Sequence, residues 1–293
     1  MNLALTVLEI VAPVFMLAAV GFTWVKLGFE YRIQFITRFA MTLAVPSLIF
    51  VALMQTEISG DDLGVFTVAT VVGNLVLSVV FWVFVKLTRL NQRTYLSPLV
   101  FGNTGNLGLP LCIFAFGDPG LGYAVVFLSV TALWSFTYGI YLVAGQGSFG
   151  KVVREPMVWA TILGALFLWQ GWETPTFLTN GLSLMGQMAV PMMLITLGVA
   201  VARLTPGNIG PAIALSVVKL IVCVALGWGV AEFFELGKVA AGVLIVQFAT
   251  PVAVTSYLLA ERFGADSNSV AGMTVASTVL SILAMPAVLA FVL

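Results

Sequence analysis

Apolar residues run through this chain in ten long blocks, and polar residues are gathered in the short gaps between them. The blocks lie at about 4–26, 35–55, 64–86, 95–116, 121–144, 156–172, 180–202, 208–232, 238–260 and 268–292. About 20 apolar residues cross a bilayer as a helix, so each block predicts a membrane helix. The sixth is the shortest, and Pro156 suits its first turn. The gaps are too short to hold a further domain.

Two blocks are interrupted. Segment 4 contains Phe101 to Pro110, FGNTGNLGLP, with three glycines, two asparagines, a threonine and a proline in ten residues. Glycine and proline weaken a helix, and Pro110 removes a backbone donor. Asparagine in hydrocarbon needs partners. The stretch reads either as a kink packed by small residues or as a discontinuous helix lining a substrate site. Segment 9 is broken by Gln247, Thr250, Pro251, Thr255 and Ser256. Breaks in both halves of the chain favour the second reading.

The halves also resemble each other. Ala44-Val45-Pro46 in segment 2 recurs as Ala189-Val190-Pro191 in segment 7, and Pro110 in segment 4 has a counterpart in Pro251 of segment 9. Phe116-Gly117-Asp118 ends segment 4, and Phe263-Gly264-Ala265-Asp266 follows segment 9. Residues 1–145 and 156–293 therefore read as two five-helix repeats. An odd number of crossings in each makes the second enter the membrane from the opposite side, which gives an inverted repeat. Two broken helices related in this way bring half-helix N-termini together near the midplane. Their free N–H groups and positive dipole ends favour an anion.

Charge sets the orientation. The odd connections and their flanks hold ten basic residues: Lys26, Arg32, Arg38, Lys86, Arg89, Arg93, Lys151, Arg154, Arg203 and Arg262. The even ones hold only Lys238, together with acids such as Asp61, Asp62, Asp118 and Glu235. By the positive-inside rule the odd connections are cytoplasmic and both termini face outside, in a bacterial inner membrane. Met1 to Lys26 lacks a basic n-region, so the first segment is expected to stay as a membrane helix.

Composition narrows the function. Of 293 residues, 61% are hydrophobic and 8% charged, which excludes a soluble domain. There is no histidine, so imidazole catalysis and imidazole metal sites are ruled out. Cys112 and Cys223 sit in apolar segments and read as small hydrophobes. No basic tail invites nucleic acid, no Walker loop suggests ATP-driven transport, and the serines have no histidine partner. An enzyme is not expected, nor a cofactor or metal.

Single polar residues carry their own readings. Lys219 lies near the middle of segment 8. Either it is a fixed charge that balances a substrate anion or replaces a coupling cation, or it pairs structurally with a carboxylate or a helix C-terminus. Asn74 and Ser78 share one face of segment 3 and read as helix–helix hydrogen-bonding groups. Gln187 is expected to bond backbone freed by Pro191. Trp24, Trp169 and Trp172 read as interface anchors, and Trp134 as packing.

The stretch Asn103 to Leu111 resembles the asparagine-to-proline motif of segment 4 in the auxin efflux carrier family, which includes bacterial malate and malonate permeases and the plant auxin exporters. Pro251 to Asp266 is similar to the family's segment 9, and Thr37 to Phe50 to its segment 2. The likeness covers the whole chain. It implies an all-α membrane protein of ten helices in two inverted repeats, with broken helices 4 and 9 crossing. Helices 1, 2, 6 and 7 would form a scaffold, and helices 3–5 and 8–10 a transport domain that moves as an elevator. It further implies a small organic anion as substrate and a homodimer, with a coupling proton or cation as a further partner. Asn103 matches the family's crossover asparagine.

On these grounds the expected substrate-binding residues are Asn103, Thr104, Asn106, Gln247, Thr250 and Thr255. Gly102, Gly105, Gly108, Pro110 and Pro251 would shape the crossover backbone, and Lys219 would balance charge. The chain departs from its relatives at Thr37, Ile49, Val252 and Thr255, where more polar residues are usual. That makes the site plainer and leaves room for an apolar monocarboxylate beside a dicarboxylate. Two alternatives remain: a sodium-coupled symporter of the bile-acid type, and an anion sensor that does not transport.

Overall fold

The computed structural model describes residues 3–144, 155–204 and 209–293. Lys151 and Arg154, which contribute to the charge argument, lie outside the described residues. Those described are helical nearly throughout, with no strand among them and one isolated bridge. Seven helices among them are long and apolar enough to cross a membrane.

Helix α1 (Leu3–Lys26) leads into α2 (Ile33–Phe39), which passes through a π turn (Ala40–Ala44) into α3 (Val45–Met54). Pro46 lies at the start of α3, where its missing N–H would disturb a plain α ladder. Next comes α4 (Gly60–Leu87), capped by Ser59, whose hydroxyl accepts from the Asp62 amide. Helix α5 (Gln92–Val100) is capped by Asn91 and stops at Phe101. After a three-residue break the chain re-enters helix through a π turn (Thr104–Gly108) and α6 (Leu109–Trp134). A third π turn (Ser135–Gly139) leads to α7 (Ile140–Ala144).

The run from Thr104 to Val143 is 40 residues, twice what a bilayer needs. It folds back on itself at Gly117, whose φ of 64° and ψ of −148° leave the helical region. A straight helix would hold residues 112 and 120 about 12 Å apart. Instead, a Cβ on Gly120 would lie 2.4 Å from the Cys112 carbonyl oxygen. Gly117 therefore makes the reversal between the expected segments 4 and 5, in a backbone conformation that favours glycine.

The second half is likewise built of long and short helices. It comprises α8 (Pro156–Gln170), α9 (Thr176–Gln187), α10 (Ala189–Arg203), α11 (Ile209–Phe233), α12 (Lys238–Phe248), α13 (Val254–Arg262) and α14 (Ser267–Val292). Asp266 caps α14 by accepting from the Ser269 amide.

Packing sorts the helices into two groups. In one, α1 lies along α10, and α3 lies against α8 and α9. Gly21 and Gly198 let α1 and α10 touch by backbone: a Cβ on Gly198 would stand 1.8 Å from the Ala18 oxygen. In the other, α4 packs on α5 and α6, α12 on α6, and α11 on α12 and α14. Hydroxyls and amides join this second group internally. Asn74 donates to the Thr131 hydroxyl at 3.4 Å, and the Trp134 indole donates to Ser78 at 3.1 Å, so these residues bridge α4 and α6 as expected. Gln187, by contrast, is exposed and makes no hydrogen bond to the backbone near Pro191. Large apolar side chains such as Trp169, Phe177 and Leu283 stand exposed on the outer faces, as lipid contact requires.

Candidate functional site

The two breaks meet. Phe101 to Asn103 and Pro251 to Ala253 run extended and antiparallel, with Gly102 directly opposite Val252. The Asn103 amide donates to the Pro251 carbonyl at 2.7 Å, and the Ala253 amide donates to the Phe101 carbonyl at 3.2 Å. Each break thus satisfies backbone groups of the other, which is the condition for irregular backbone at membrane depth. The remaining Val252 amide donates to the Ser277 hydroxyl on α14 at 3.0 Å.

Glycine is what lets the chains come this close. A Cβ on Gly102 would lie 2.2 Å from the Thr250 hydroxyl oxygen, and one on Gly108 2.2 Å from Gln247 Oε1. Real atoms cannot share that space. The Thr250 hydroxyl is itself tied to the Gln247 carbonyl at 2.7 Å, so it cannot swing away freely.

Beside the crossing lies a cavity of about 460 Å³. Its floor is the crossover itself, with Gly102, Asn103 and Ala253. Both second half-helices present their first residues to it: Thr104 to Asn106 from one, Val254 and Thr255 from the other. The leading amides of a helix have no intrahelical acceptor and carry its positive dipole end. Each of the three π turns also lends a wall residue, namely Met41, the Thr104 to Asn106 stretch, and Ser135. Leu128, Met157 and Leu258 make much of the wall apolar. Arg262 and Glu155 stand in the wall near its exposed side, and burial pushes the Glu155 carboxyl above the usual carboxylate range.

Four side-chain atoms buried within the described residues have no hydrogen-bond partner: Asn103 Nδ2, Ser97 Oγ, and both Nε2 and Oε1 of Gln247. All belong to segments 4 and 9, at or within about two turns of the breaks. Orphaned polar groups are rare in a folded interior, so such a cluster calls for a function.

Residues 6–152 and 148–289 match the family described as membrane transport protein, the auxin efflux carriers. The chain belongs to this family. The carrier is also 25% identical to an uncharacterized transporter of Methanothermobacter thermautotrophicus over 291 residues, covering 95% of this chain and 96% of the relative. It is 23% identical to an uncharacterized transporter of Methanocaldococcus jannaschii over 298 residues, covering 94% and 96%.

The expected site residues of the carrier divide by position. Gly102, Asn103, Thr104, Gly105, Asn106 and Thr255 line the cavity. Gln247 and Thr250 do not; they are fully or almost fully buried behind the crossing, beside Gly108 and Gly102. Pro251 lies in the extended break, but Pro110 does not: it follows the π turn within the re-entrant helix, as Pro46 follows the π turn of segment 2. The two prolines therefore hold different places, and the residue opposite Val252 is Gly102. Lys219 is 2% exposed and donates to the Leu99 carbonyl at 2.9 Å, the helix C-terminus among its foreseen partners.

Thr131, Ser135, Glu155 and Arg262 are cavity residues that the sequence did not single out as such. The spacing of Thr131 and Ser135, one helical turn apart, is the signal that points to a shared polar face.

Proposed function

We propose that the protein is a secondary carrier of a small organic anion, working by alternating access. The observation that carries this reading is that two half-helix N-termini face one cavity whose floor includes Asn103, a residue whose buried side-chain nitrogen has no partner. Helix N-termini attract anions, and a neutral amide can donate to a carboxylate without fixing it permanently. The largely apolar wall suits an anion with an apolar body, and Arg262 lies where such an anion would enter. The two packing groups support a scaffold of segments 1, 2, 6 and 7 and a moving unit of segments 3–5 and 8–10, an elevator built from ten crossings in two inverted repeats. In this reading the cavity faces the cytoplasm, both termini lie outside, and the carrier assembles as a homodimer.

The test is a thermal-shift screen of mono- and dicarboxylates on the purified protein, followed by counterflow in proteoliposomes with each acid that shifts Tm. Counterflow of at least one acid is expected. Acids that bind without exchanging across the membrane would make the protein an anion sensor instead.

A further inference from the structure

The break in segment 4 leaves a carbonyl without its ladder donor. In a continuous helix the Leu99 oxygen would accept from the Asn103 amide, but that amide is turned to Pro251. Lys219 takes its place, with Nζ 2.9 Å from Leu99 O. The break in segment 9 does the same to Ala249, because the Ala253 amide is turned to Phe101. Leu99 and Ala249 each stand three residues before the bridged pair Gly102 and Val252. They are equivalent positions on the two crossing chains.

Lys219 bonds the first and shares a void with the second. Its side chain lines a void of about 10 Å³ shared with Ala249, Thr250 and Pro251 from the end of α12, and with Ser216, Ser277 and Ser281. That is near the smallest space that holds one water. The carboxyl ends of two helices carry negative partial charge, and here they converge on a void with no acid side chain among its described lining residues. Among the described residues Lys219 forms no ion pair, and its ammonium also lies 4.0 Å from Cys223 Sγ. The hydroxyls of Ser216, Ser277 and Ser281 donate to carbonyls of their own helices, so they turn oxygen lone pairs outward; with the helix-end carbonyls they are hard oxygen ligands, the kind that hold small monovalent and divalent cations.

We infer that the carboxyl ends of α5 and α12 form a cation site at the back of the crossover, and that the Lys219 ammonium is its permanent occupant. The carrier therefore takes no free metal cation at this place. Removing the lysine side chain turns the site into one that binds a small external cation. The inference rests on the crossover being the transport centre, but its test uses no substrate, so failure of the carrier reading would appear in counterflow and not here.

The experiment follows Tm of the purified full-length protein in detergent, in sodium, methylammonium or choline chloride at matched ionic strength. The wild type is expected to melt at one temperature in all three. Lys219→Met, of similar length without the charge, lowers Tm by about 5 °C or more. Lys219→Ala is lowered too, and recovers in sodium or methylammonium chloride but not in choline chloride, whose cation is too large. A wild type stabilised by sodium over choline would overturn the inference, since the site would then be open; this arm needs no variant to fold. Wild-type Tm in Lys219→Met, or an equal loss for Lys219→Ala in all three salts, would overturn it as well.

Discussion

The Asn103 backbone amide and the Pro251 carbonyl, 148 residues apart in the chain, are joined by a 2.7 Å hydrogen bond between the two helix breaks. This bond and its partner from Ala253 to Phe101 hold the crossing together, and both depend on Gly102 having no side chain.

Gly102→Ala is therefore expected to destabilise the protein by about 1–3 kcal/mol, the usual range for overpacking a filled interior. The clash is with the Thr250 hydroxyl at 2.2 Å, so Gly102→Ala combined with Thr250→Ala should regain part of the loss. Thermal unfolding of the two single variants and the double variant measures the coupling; simple additivity would show that the crowding lies elsewhere.

Asn103→Ala should abolish counterflow while leaving Tm close to the wild-type value. The Asn103 side-chain nitrogen Nδ2 has no partner to lose, and the backbone bond to Pro251 survives the substitution. Near-normal exchange by this variant would remove Asn103 from the anion site.

Arg93 clamps three helix ends. From the first turn of α5 its Nε donates to the Val143 carbonyl at 3.1 Å and its Nη2 to the Phe263 carbonyl at 3.1 Å. Arg93→Lys keeps the charge but not the fork, and should cost about 1 kcal/mol. The same variant should slow exchange if segments 4, 5 and 9 move as one body. Unchanged Tm and unchanged flux would show that the clamp is idle.

Glu155 predicts a pH dependence. Burial raises its folded pKa above the ordinary value, so folding favours its protonated form; the stability cost builds as pH rises from the ordinary carboxylate pKa and is complete above the raised one, where the folded side chain is charged. Glu155→Gln should therefore bind an anion more tightly than the wild type at alkaline pH. The difference should vanish as pH falls through the raised pKa, where both side chains are neutral. Titration of anion affinity from pH 4 to pH 9 checks this, and a gap that widened toward acid pH would contradict it.

The breaks in segments 4 and 9 were legible because glycine, proline and amide residues interrupt long apolar runs. Helix limits followed for the same reason: the expected 64–86 and 268–292 became Gly60–Leu87 and Ser267–Val292. The pairing across the crossing was not legible. Matching Pro110 to Pro251 aligns two residues of one type, whereas contact pairs Gly102 with Val252, an alignment fixed only by which carbonyl each amide can reach. The side to which Gln247 turns was hidden too, because α12 is buried over most of its length and shows no polar face. The partner of Lys219 is a main-chain oxygen, and no residue type announces one.

The three π turns around the cavity have a mechanical consequence. A π turn is an α-helix holding one residue too many, and its surplus can pass along the helix by exchanging one hydrogen bond for the next. Each such exchange rotates the residue passed by about 100° without unwinding the chain. Met41, Asn106 and Ser135 thus stand on the parts of the wall best able to change which side chain they show to a guest.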